Sequence, residues 1–203
     1  MKLETYIENE IIPRYLGFDR AHGPEHAKSV IDRSLKLAEI YGLDLRMVYA
    51  AAAYHDTGLA EGRERHHLVS GRIIREDRML REWFTEEQIE TIAEAAEDHR
   101  ASAAREPRSI YGRVLAEADR QIDPELTVRR TVQYGLSHYP EMGKKEHWQR
   151  MLEHLQEKYA EGGYLKLLIP ESDNARRLEE LRSLMKDRSR LREIFEKEYS
   201  EGA

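Results

Sequence analysis

His55 and Asp56 stand side by side at the end of the apolar run Ala50-Ala51-Ala52-Ala53-Tyr54. An imidazole and a carboxylate at the buried end of a helix cost several kcal/mol if left unpaired. Both become satisfied if they ligate a metal ion. Other segments repeat the pattern: His26, His66 or His67, His99 and Asp119 each fall on the apolar stripe of their own stretch of chain. In a helical bundle such stripes face one core, so donors far apart in sequence converge. Imidazole plus carboxylate is a hard-to-borderline donor set that suits Fe, Mn, Co, Ni, Zn or, less well, Mg. Four His and two Asp exceed what one four-coordinate ion needs. They match two divalent ions that share a bridging Asp and a water. Two such ions outweigh two carboxylates, and the net positive site attracts an anionic substrate. No Ser-His-Asp or Cys-His nucleophile motif competes with this chemistry.

Helices have to position these donors. The 203 residues are rich in charge, poor in Gly and Pro, and nearly devoid of β-branched alternation, which is helical composition. There is no run of about 18 apolar residues and no basic–apolar–small leader, so neither a membrane span nor a signal peptide is expected. The absence of cysteine excludes disulfides, thiolate zinc sites and thiol catalysis, and suits a cytoplasmic protein. A net charge of −6 argues against a nucleic-acid partner, since phosphate contacts need a basic face.

Leu3, Tyr6, Ile7 and Ile11 predict a short amphipathic helix ending near Pro13. A second helix starts around Pro24, aligns His26, Val30, Ser34, Leu37 and Tyr41, and stops at Gly42. Asp44 caps a third, in which Leu45, Val48, Ala52 and His55 share a face and which Gly58 terminates. A fourth is expected over residues 66–81, with His66, Ser70, Ile73 and Leu80 together. Thr85-Glu86-Glu87-Gln88 is a capping box opening a fifth helix, whose stripe is Ile89, Ile92, Ala96 and His99. The sixth, over residues 109–122, aligns Leu115, Asp119 and Ile122, while Glu117 reads as an exposed acid. Amphipathic segments follow at 128–136 and 148–159, and one last helix at 174–199 carries Leu178, Leu181, Leu184, Ile194 and Phe195 inward. His138, His147 and His154 fall on polar late helices and read as surface residues.

The order His26, His55-Asp56, Asp119 resembles the H…HD…D pattern of the HD-domain metal-dependent phosphohydrolases. With His66 or His67 and His99 inserted, it resembles the two-metal subgroup, H…HD…H…H…D. HD-GYP-type phosphodiesterases and bacterial dinucleoside-tetraphosphate hydrolases share that pattern. The resemblance spans residues 17–122. The Gly-Tyr-Pro signature is missing, so cleavage of cyclic di-GMP is not implied. Thr57-Gly58-Leu59 follows the dyad where many relatives carry a phosphate-binding Lys.

This resemblance implies an all-α HD-domain helical bundle with a C-terminal helical extension. Residues 1–122 would form the metal-binding core, and residues 123–203 a helical extension packed on it within the same domain. The implied metal ligands are His26, His55, Asp56, His66, His99 and Asp119, holding one or two divalent ions. His66 is preferred to His67 because Ser70, Ile73 and Ile74 then occupy the small and apolar positions that relatives carry downstream. Asp56 and His55 would be the catalytic pair, and Arg100, Arg63, His22 and His67 would meet the substrate. Arg65, Arg108 and Arg120 also flank the site, although charged helix faces are usually only solvated. The implied activity is hydrolysis of a phosphate ester or anhydride, nucleotide-like or another small phosphorylated anion, by metal-activated water. A diiron oxygenase of HD type shares the same ligands, and a non-catalytic nucleotide-binding regulatory domain is the third reading. A homodimer is compatible with the chain, and neither membrane nor nucleic acid is expected as a partner.

Overall fold

Four alanines ahead of His55 decide where the site sits. In the computed structural model, which describes residues 1–19, 22–100 and 105–202, they lie on helix α3 (Leu45–Tyr54), and all four are buried. Because Ala carries nothing beyond Cβ, neighbouring helices approach this one closely on several sides. Three of those neighbours are α2 (Pro24–Ile40), α5 (Glu86–Asp98) and α6 (Ile110–Asp119). A further helix, α4 (His66–Glu76), packs on α5 and on the 3-10 turn Thr57–Glu61 that follows the dyad. Every regular element among the described residues is helical. The all-α reading therefore holds. Residues 20–21 of the loop expected over residues 17–24, and residues 101–104 of the loop expected before Pro107, lie outside the described residues.

The chain divides into two units, Met1–Arg120 with Leu168–Ser172, and Gln121–Leu167 with Asp173–Ala203. The first holds all six expected ligands. Its apolar cluster includes Ile7, Ile11, Tyr15, Val30, Tyr54, Ile74, Leu80, Ile92 and Leu115. In the second, α7 (Pro124–His138) packs against α8 (Lys144–Tyr159), α9 (Asn174–Lys186) and α10 (Arg188–Gly202). Val132, Met151, Leu155, Leu181 and Phe195 are buried there. Among the described residues no helix is long and apolar enough to cross a membrane.

Local signals located several helix ends correctly. The Asp44 carboxylate accepts from the N–H groups of Arg46 and Met47, and Thr85 and Gln88 form the reciprocal capping box. Others moved. The N-terminal helix does not stop at Pro13: α1 (Leu3–Tyr6) runs into a π-turn (Ile7–Ile11) and then a 3-10 helix (Ile12–Gly17). Pro13 falls in the first turn of that 3-10 helix, where its missing N–H costs nothing. The helix expected over residues 66–81 breaks at Asp77, which turns extended and accepts from the hydroxyls of Tyr6 (2.7 Å) and Tyr54 (2.5 Å). A 3-10 helix (Arg78–Glu82) follows, capped by the other Asp77 oxygen.

The sixth helix ends at Asp119 rather than near Ile122. The last helix is two, because Asp187 leaves helical geometry and accepts from the N–H of Arg190. Of the late histidines only His138 is exposed; His154 is half-buried, and His147 is buried beside Tyr199. Gly135 makes the notch for His147, since a Cβ there would lie 2.9 Å from its Nδ1.

The close packing around α3 has a measurable consequence. Ala52→Leu is expected to destabilise the protein by about 1–3 kcal/mol through overpacking. The same enlargement at exposed Ala60 is expected to stay within about 0.5 kcal/mol. Chemical denaturation of both variants reads the difference.

Candidate metal centre

Side chains, not backbone, close the end of α3. The carbonyl of Ala52 accepts from His55 Nδ1 at 2.8 Å, that of Ala53 from the Tyr15 hydroxyl at 2.9 Å, and that of Tyr54 from Thr57 Oγ1 at 2.7 Å. The N–H of Asp56 donates to the Tyr15 oxygen at 3.2 Å. With three successive carbonyls capped in this way, the helix stops and the dyad turns into the core. Bonding to a carbonyl also settles the imidazole: Nδ1 carries the proton, and the Nε2 lone pair points inward.

The same device recurs twice. His66 Nδ1 donates to the Arg63 carbonyl at 2.7 Å, and His99 Nδ1 to the Ala96 carbonyl at 2.6 Å, each three residues back. His26, in the first turns of α2, is the exception; its buried Nδ1 meets no partner among the described residues.

Asp56 stands between two pairs of histidines. Its Oδ2 lies 3.2 Å from His55 Nε2 and 3.6 Å from His26 Nε2. Its Oδ1 lies 3.3 Å from His66 Nε2 and 3.5 Å from His99 Nε2. Within each pair the two Nε2 atoms are 3.2 Å apart. Asp119 Oδ1 approaches the first pair, 3.3 Å from His26 and 3.7 Å from His55. Donors about 2.0–2.2 Å from one ion stand about 2.8–3.6 Å from each other in octahedral or tetrahedral arrangement. All the observed separations match that spacing except Asp119–His55, which at 3.7 Å is just beyond it. Lone pairs facing each other at 3.2 Å repel unless a proton or cation lies between them. These groups therefore fit divalent ions, with His26, His55 and Asp56 as one set, which Asp119 Oδ1 approaches, and Asp56, His66 and His99 as another.

Electrostatics without an ion agree. Burial pushes the Asp56 carboxyl up, but His55, His26 and His99 outweigh it and hold it well below the usual range. Asp119 is likewise lowered against burial, chiefly by His26. Burial would lower His26, yet Asp119 and Asp56 raise it to about 9. His99 is also raised, against burial, by Asp56 and Asp119. His66 goes the other way, to about 4, through burial and the charge on His99.

The residues expected to meet substrate lie around these sets and outside them. His22 packs edge-on against His26, with ring centres 5.8 Å apart, and its Nδ1 is 2.8 Å from Asp19 Oδ1. His67 packs on His66 with ring centres 5.6 Å apart, and burial lowers its pKa. Of the two adjacent histidines, His66 is the one whose Nε2 joins Asp56. Arg63 is exposed and 3.6 Å from Asp19, while its carbonyl holds His66. Arg100 donates to the Glu64 carbonyl at 2.8 Å. Arg108 is committed to Glu94, Glu97 and Asp98.

Sequence reasoning missed Tyr15, because a tyrosine in an apolar run carries no mark of the carbonyl it will cap. It also misread Gly58 and Glu117. Gly58 lies inside the 3-10 turn, where a Cβ would sit 2.0 Å from the His66 carbonyl oxygen. Its N–H donates to Ser70 Oγ at 2.9 Å. Its function is close approach of the dyad to α4, not helix termination. Glu117 is fully buried.

Residues 24–121 match the HD domain family. The crystal structure of a predicted HD superfamily hydrolase from an uncultured Thermotogales bacterium is 23% identical, with a TM-score of 0.51 over 80% of this chain and 100% of that one. At that identity the likeness speaks for the fold alone. No curated protein matches the chain.

Two measurements test this geometry. Gly58→Ala should push α4 away and lower affinity for the ion between His66 and His99 by about 10-fold or more, leaving the other ion in place. In the ion-free protein His26 keeps a proton at neutral pH, since its pKa is about 9. Ion binding must displace that proton, so apparent affinity should rise with pH through the neutral range toward about 9. Calorimetry in buffers of differing ionisation enthalpy counts the proton released.

Proposed function

Because residues 24–121 match the HD domain family, we propose that this chain is a cytoplasmic metal-dependent hydrolase of a small phosphate ester or anhydride. The observation that carries the reading is Asp56, whose two oxygens face two different histidine pairs. A carboxylate placed so could serve one divalent ion beside each histidine pair. Divalent ions held there supply Lewis acidity, which polarises a phosphoryl oxygen and makes water acidic enough to attack at neutral pH.

The chain's own groups do the rest. Asp56, His55 and His99 are buried to within a few per cent and form the closed floor. The Asp119 side chain is 24% exposed and His66 12%, so substrate and water enter on their side. Asp56, with His55, would orient the attacking water, and Asp119 stands on the side from which substrate would come. Arg63, exposed beside Asp19, and Arg100, which donates to the Glu64 carbonyl, present guanidinium groups on this side, the side chain suited to phosphate oxygens. His22 and His67 lie against the ligands His26 and His66 and bound the substrate space. Phosphoryl transfer asks chiefly for positioning and charge neutralisation, which this arrangement provides without a covalent nucleophile.

A diiron oxygenase would use the same donors, and a regulatory domain would need no complete set of them. Two outcomes decide. Asp56→Ala should lose both ions and reduce hydrolysis of a phosphomonoester and phosphodiester panel to background; activity retained by the metal-replete variant rejects the mechanism. Protein loaded with Mn²⁺ should turn over without oxygen. Strict dependence on both iron and O₂ would instead establish the oxygenase.

A further inference from the structure

We propose that Glu117 is a positioning residue, which holds the end of α6, and with it the Asp119 carboxylate, in register with His26 by gripping the distant segment Leu168–Ser172. The inference rests on the metal-centre reading above and extends it to a part of the chain outside the family match.

Asp119 is the last residue of α6, and the chain leaves helical geometry at Arg120 (φ −70°, ψ 52°). Final helical turns lack partners for their carbonyls and fray readily. A ligand there needs an external hold. The ion pairs of Asp119 run to His26 and His55, themselves ligands, so they position it only relative to the centre.

Glu117, two residues earlier on another side of the helix, provides that hold. Its side chain is fully buried, and its two oxygens bind one segment: Oε2 accepts from the Leu168 N–H at 2.7 Å, and Oε1 from the Ser172 hydroxyl at 2.5 Å. The Arg120 guanidinium lies 4.0 Å from the same carboxylate. The segment is itself anchored. Ile169 is buried in the first unit's apolar cluster, and the Ser172 N–H donates to the Ile169 carbonyl at 3.1 Å. The Tyr41 hydroxyl at the end of α2 donates to Glu171 at 2.5 Å. The segment thus ties together α2, which carries His26, and α6, which carries Asp119. A buried carboxylate met on both oxygens by residues 51 and 55 positions away is a specific contact, not the solvated helix acid its local sequence suggests.

The test is a Mn²⁺ titration of the full chain, read by electron paramagnetic resonance and calorimetry, with thermal stability measured alongside. Asp119→Ala is the reference and should abolish binding of one ion. Glu117→Gln should weaken that same ion by about 10-fold and leave the ion at His66 and His99 unchanged. Ser172→Ala, which removes one hydrogen bond and no charge, should weaken it by about 3-fold. Leu155→Ala, a core change in the second unit, should lower the melting temperature and move neither affinity. If Asp119→Ala loses an ion while Glu117→Gln and Ser172→Ala bind like the parent, Glu117 is structural only and the proposal fails. If Glu117→Gln does not fold, Ser172→Ala decides alone by the same criterion. If Asp119→Ala itself binds both ions normally, the metal-centre reading at Asp119 is what has failed, and Glu117 has no ligand to position.

Discussion

Four imidazole lone pairs and two carboxylates converge on one buried place, and the repulsion among them is the constraint under which the rest of the first unit is built. Nε2 atoms at 3.2 Å and carboxylate oxygens within 3.7 Å of them cannot be held by attraction among themselves in the absence of protons or cations. The scaffold has to supply the hold. It does so by fixing each donor from behind, three of the four imidazoles through a carbonyl three residues back in the chain. The orienting bond is therefore local to the ligand's own turn, and positioning the turn positions the ligand.

The turns in turn depend on long-range packing. Tyr15 caps α3 from the N-terminal 3-10 helix, and Asp77 gathers Tyr6 and Tyr54 at the break after α4. Behind His66 and His99, Arg75 and Arg108 pair with Glu97, and Arg108 pairs also with Asp98. Gly71 makes room for this, because a Cβ there would collide with the Glu97 side chain at 2.5 Å. The network joins α4, which begins with His66, to the end of α5, which His99 follows, and to Arg108 just before α6. A charged network that is partly exposed adds little stability on its own. Its geometric effect is to lock the ends of α4 and α5 to one another.

The amino-acid sequence alone determined the donor chemistry and the helical class. Imidazole and carboxylate types belong to residue identity, and the spacings His55–Ala52–Val48, His99–Ala96–Ile92 and Asp119–Leu115 are local periodicity, which needs no knowledge of neighbours. Asp44 and the Thr85–Gln88 pair were legible for the same reason, since a cap is completed within four residues. Only the tertiary structure places His66, rather than its neighbour His67, beside Asp56. One residue turns a side chain by about 100° around a helix, and the rotation of α4 is set by Gly58, Ser70 and α5 packing against it. It likewise decided that Asp77 breaks a helix, that Tyr15 ends one, and that Glu117 and His147 are buried. Each of those outcomes depends on partners tens of residues away, and a pattern that repeats every three or four residues holds no information about them.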